Sequence, residues 1–91
     1  MDLGLNGRKA IISGANRGIG LTIAQHFAAE GIALALLGRN EQGLADAADQ
    51  VRAKHPTAQV CMVEMDLERP QTINPAVESS VNQLGGVDIL V

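Results

Sequence analysis

The stretch Ser13-Gly14-Ala15-Asn16-Arg17-Gly18-Ile19-Gly20 constrains this chain more than any other, because of what stands on either side of it. It directly follows a short apolar run, Lys9 to Ser13. It opens a segment in which Ile19, Ile23 and Phe27, with Gly20, Ala24 and Ala28, recur at helical period. A strand that turns through glycines straight into a helix leaves free backbone N–H groups at the helix start, where the macrodipole favours an anion. In the spacing G-x-x-x-G-x-G, Gly14 permits the tight turn, Gly18 lets the backbone approach a pyrophosphate, and Gly20 lets the helix pack close to the sheet. The glycine pattern alone is weak. Its setting between a buried strand, a helix and a second strand is what points to a dinucleotide.

The rest of the chain repeats that alternation. Ile32 to Gly38 (IALALLG) is a continuous apolar run of the kind buried on both faces of a sheet, and Gln59 to Met65 and Val87 to Val91 supply two more strands. Between them, Leu44, Ala47, Ala48 and Val51 form one helical stripe, and Val77, Val81 and Leu84 another. Gly31 stops the first helix, Asn40 caps the second, and Gly85-Gly86 stops the third. Pro70 and Pro75 both fall in the third connection, and the regular helix is placed from Pro75. Strands alternating with helices predict right-handed crossovers and a parallel four-stranded sheet. By the dinucleotide-binding rule the order is 3-2-1-4, with the first two helices on one face, the third on the other, and the crevice between the first and fourth strands. Residues 1–91 then form part of a single α/β domain.

Composition narrows the partners. With an apolar content of 46% and Phe27 as the one aromatic residue, the core must be built from Ala, Val, Ile and Leu, which suits α/β layering. The net charge of −3, without a run of Lys or Arg, gives no footprint for nucleic acid or an anionic membrane surface. No apolar stretch approaches the roughly 20 residues that span a bilayer, and Met1 to Arg8 lacks a signal-peptide core. Cys61, the one cysteine, sits in an apolar run and reads as a small buried hydrophobe, in keeping with a reducing, cytoplasmic setting. His26 and His55 lie in or at the end of helices, away from the glycine loop, and with no companion cysteine at ligand spacing they give no metal site. Asp46, Asp49 and Glu78 fall on polar helix faces.

The end of the second strand selects the dinucleotide. An acid there accepts from a ribose 2′-hydroxyl, whereas an arginine suits a 2′-phosphate. This chain has Gly38-Arg39-Asn40 and no acid. Arg39 can fork two donors onto a phosphate, with Arg17 of the loop approaching from the other side, so NADP(H) is favoured over NAD(H). Asp66-Leu67 follows the third strand at the same edge of the sheet. There Asp66 has two readings, an acceptor for an adenine amino group or a cap for the following turn.

Taken in order, SGANRGIG, GRN, DL and GGVDILV resemble the amino-terminal part of the short-chain dehydrogenase/reductase family. The resemblance implies a partial Rossmann, or doubly wound, fold. It places Ser13, Asn16, Arg17 and Ile19 around the phosphates, Arg39 and Asn40 at the adenosine ribose phosphate, and Asp66 and Leu67 at the adenine. It also implies hydride transfer between a nicotinamide and a carbonyl or hydroxyl substrate. The family's Ser, Tyr and Lys, and its Asn-Asn-Ala-Gly element, belong after the fourth strand. This chain reaches Val91 and contains no tyrosine, so no catalytic residue is assigned within it. The expectation is the NADP(H)-binding portion of such an oxidoreductase, inactive alone, whose substrate these residues do not specify. The alternative is a non-catalytic dinucleotide-binding or self-association module. The unpaired fourth strand and a partly bare sheet face lead us to expect homo-oligomers.

Overall fold

Ile32 to Leu37 are all buried, and such a run is stable only where both faces of a strand are covered. The computed structural model describes residues 7–14 and 18–91, and it places this run at the centre of a sheet. In chain order the elements are β1 (Lys9–Ser13), α1 (Gly18–Ala29), β2 (Ala33–Gly38), α2 (Glu41–Lys54), β3 (Val60–Glu64), a 3-10 turn (Pro70–Thr72), α3 (Ile73–Leu84) and β4 (Ile89–Leu90). The strands lie in the order β3-β2-β1-β4, and every pair is parallel. Topology and fold class are those expected from the sequence.

Alternation along the strands divides the core into two layers, because successive side chains point to opposite faces. Ala10, Ile12, Leu34 and Leu36 join Ala24 and Ala28 of α1 and Leu44, Ala47, Ala48 and Val51 of α2. Ile11, Ala35 and Leu37, one residue out of step, join Ala76 of α3 and Met65. The first two helices therefore cover one face and the third the other, as the crossover rule requires. Ser80 is the one fully buried polar side chain among the described residues, and its hydroxyl donates to the Ala76 carbonyl one turn back at 2.8 Å.

The helix ends follow the local signals. Past Ala29 the Gly31 N–H donates to the Ala28 carbonyl (3.0 Å) and the Ile32 N–H to the Phe27 carbonyl (3.1 Å). This is a Schellman closure with Gly31 left-handed at φ 77°. At the start of α2 the Asn40 side chain accepts from the Gly43 N–H at 3.0 Å, the expected cap.

Two boundaries differ from expectation by more than one residue. The third helix begins at Ile73, not Pro75, after the 3-10 turn that Pro70 opens. Pro75 is then its third residue, inside the first turn, where an N–H has no intrahelical partner to lose. β4 is shorter than the Val87–Val91 run: only Ile89 and Leu90 hold strand geometry, although Asp88 and Val91 still donate to β1 carbonyls.

Candidate functional site

Because all the strands are parallel, the carboxyl ends of β1, β2 and β3 reach the same edge, with Ser13 opposite Leu37 and Gly38 opposite Glu64. Beyond that edge the chain leaves to α1 and α2 on one face and to α3 on the other, which opens a crevice. The resulting cleft, about 350 Å³, is walled by Ser13 and Gly14, by Gly38 to Asn40, and by Met65 to Glu68. Its volume falls at the lower end of the range for small-molecule sites.

The three walls have distinct chemistry. On the β1 side, Gly14 takes φ 65°, a left-handed turn that a side chain disfavours, and its N–H donates to the Leu37 carbonyl at 2.9 Å. Its amide is therefore spent in closing β1 onto β2. The N–H and hydroxyl of Ser13 both point at the Val91 carbonyl, at 3.2 and 3.1 Å, so this side chain ties β1 to the end of β4. Gly18 begins α1, and a Cβ placed on it would meet nothing within 4 Å. Ile19 beside it is 81% exposed, and Gly20 follows in the same first turn. A shallow, mainly apolar recess runs from Gly14 past Gly18 and Ile19 to Val91. Asn16 and Arg17, assigned to the loop from the sequence, lie with Ala15 outside the described residues.

On the β2 side, Arg39 and Asn40 stand at the mouth, next to the amino end of α2. Asn40 spends its side-chain oxygen on the cap. On the β3 side, the backbone from Asp66 to Thr72 is pinned. The Asp66 N–H donates to the Thr72 hydroxyl oxygen at 2.9 Å, the Arg69 N–H donates to the Asp66 carbonyl at 2.9 Å, and Asp66 Oδ1 accepts from the Glu68 N–H at 2.9 Å. The turn-capping reading of Asp66 thus describes one of its oxygens. Leu67 is two-thirds exposed at the rim.

Glu68 was not singled out from the sequence. Its carboxylate lies 3.6 Å from the Arg39 guanidinium and spans the mouth of the cleft. The only signal was its place two residues past Asp66, and that gains meaning once β2 and β3 are known to be neighbours. His26 and His55 line no part of the cleft. Burial pushes the Cys61 thiol up, against a smaller opposing effect from a backbone hydrogen bond, and the residue packs with the α3 layer as a hydrophobe. Among the described residues there is no cluster of metal-ligating side chains, and no helix is long and apolar enough to cross a membrane.

Comparison with known proteins agrees with this geometry. Hydroxysteroid dehydrogenase-like protein 2 of Mus musculus is 37% identical over 94 residues, which cover 96% of this chain and 19% of the relative. L-sorbose reductase from Gluconobacter frateurii, solved with NADPH and L-sorbose, superposes with a TM-score of 0.89 at 39% identity, covering 99% of this chain and 34% of that one. An NAD+-bound xylitol dehydrogenase superposes with a TM-score of 0.88 at 32% identity, covering 94% and 32%. The chain thus spans between a fifth and about a third of the length of these proteins. The model of the short chain dehydrogenase family matches residues 8–91, nearly the whole sequence, and the chain belongs to that family.

Proposed function

We propose that these residues are the cofactor-binding portion of an NADP(H)-dependent oxidoreductase, one that moves hydride between a nicotinamide and a carbonyl or hydroxyl substrate. The nicotinamide supplies or takes the hydride when bound; the chain's own residues bind and orient it. The open space over Gly18 and the unbonded N–H groups that any helix presents at its start suit a pyrophosphate at the beginning of α1. Asp66 and Leu67 suit an adenine at the β3 wall. The observation that carries the preference for the phosphorylated cofactor is Arg39, at the mouth of the cleft beside the amino end of α2, with no acid at the end of β2. The sorbose reductase was solved with NADPH, and the xylitol dehydrogenase with NAD+, so the cofactor rests on Arg39 rather than on kinship.

Fluorescence titration of the chain with NADPH and NADH tests this reading. Hydrogen bonds to charged groups contribute about 1.5–3 kcal/mol, and Arg39 is half-exposed, so Arg39→Ala should weaken NADPH by about tenfold. NADH should change by less than about twofold, since no phosphate meets the guanidinium. A tenfold or greater preference of the unsubstituted chain for NADH would overturn the NADP(H) assignment.

A second reading is a binding or self-association module without chemistry. It is favoured by the β4 edge, where Leu90 is 71% exposed.

A further inference from the structure

The one ion pair at the cleft among the described residues joins two different loops. Arg39 leaves the end of β2 and Glu68 leaves the end of β3, and their charged groups are 3.6 Å apart. Neither is held there by burial. What holds the Glu68 main chain is the Asp66 carboxylate on its N–H, and what holds Asp66 is the Thr72 hydroxyl. The loop is thus set, and the exposed carboxylate extends from a fixed point toward the guanidinium.

We propose that Glu68 is a specificity-determining residue, the counter-charge to Arg39 that competes with a ribose 2′-phosphate and leaves a 2′-hydroxyl unopposed. The inference rests on the dinucleotide reading of the cleft. A phosphate monoester brings a charge of about −1.5 to −2 at neutral pH. To take the Arg39 fork it competes with the existing contact at one guanidinium nitrogen, and it then lies within a Debye length of the Glu68 carboxylate, about 8 Å at physiological salt. Each effect is small in an exposed setting, and together they amount to a two- to fivefold loss of affinity for the phosphorylated cofactor. A 2′-hydroxyl meets no such opposition, and a carboxylate near it is the acceptor that related folds supply from the end of β2. Charges of both signs at one mouth let the site accept both dinucleotides with only moderate discrimination.

The test is a double-mutant cycle on the full chain, read as NADPH and NADH affinities for the unsubstituted protein, Glu68→Gln, Arg39→Ala and the double variant. Glu68→Gln should tighten NADPH by two- to fivefold and leave NADH unchanged or weaker, with the gain shrinking at high salt. In the Arg39→Ala background the same substitution should give less than half that gain, because the competing contact is gone. Glu68→Lys, a second cation at the same place, should exceed Glu68→Gln in the same direction. An unchanged NADPH:NADH ratio in both Glu68 variants overturns the proposal, as does an undiminished gain when Arg39 is absent. Failure of the unsubstituted chain to bind either dinucleotide overturns the underlying reading as well. NADPH binding with an unmoved ratio removes Glu68 alone.

Discussion

Gly14 and Gly18 have different tasks in the sequence pattern, and their backbones differ accordingly. Both have open space where a Cβ would stand, but only Gly14 has the left-handed backbone, with φ 65°. Gly14→Ala should therefore cost about 1–2 kcal/mol of stability in denaturant unfolding, the penalty for a side chain in that region. Gly18→Val should unfold close to the parent, since α1 tolerates a side chain there, yet weaken NADPH by more than tenfold by filling the space the pyrophosphate needs. Unaltered NADPH affinity in Gly18→Val would remove the phosphate cradle from that position. Arg39 and Asp66 were legible as residues, and the turn-capping reading of Asp66 describes its bond to the Glu68 amide. That Glu68 meets Arg39 depends on β2 lying beside β3 and on the fold of the β3–α3 loop.

At the scale of elements, Asn40 caps the amino end of α2, and the proposed cofactor reading gives it a binding task as well. Removing its oxygen leaves the Gly43 N–H without its partner, and Asn40→Ala should lose about 1 kcal/mol. Asn40→Asp keeps the cap and adds a charge that the helix dipole favours, so its stability should match or exceed the parent's. The same charge stands next to Arg39 and should reduce NADPH affinity. Thermal unfolding paired with NADPH titration separates the two tasks, and a tighter NADPH complex in Asn40→Asp would argue against a 2′-phosphate at this helix end. The caps of α1 and α2 were readable because they are encoded within a few residues. The start of α3 was not, because a proline is compatible with any position of a first turn, and either Pro70 or Pro75 satisfied that rule.

At the scale of the molecule, the two sides of the sheet end differently. β3 closes one edge with five half-buried or exposed residues, while β4 closes the other with two strand residues and leaves Val87, Leu90 and Val91 exposed. An exposed apolar edge is a template for pairing with another chain. We expect the chain to self-associate there at micromolar concentration, and Leu90→Lys to shift sedimentation toward the monomer. A parent chain that sediments as a monomer throughout that range would end this expectation.

Hydrophobic period and glycine spacing are local quantities, and from them came the strands, the helices and the glycine turn into α1; the parallel order β3-β2-β1-β4 and the two-layer core followed from the dinucleotide-binding and crossover rules applied to them. The edge on which a binding cleft must lie followed as well, since parallel strands send all their carboxyl ends to one side. Tertiary structure alone decided which side chains on that edge meet across the sheet. The Ser13 hydroxyl turns to Val91, and Glu68 crosses to Arg39. These are contacts between residues far apart in the chain, set by strand register and loop closure, and no local pattern of residues encodes them.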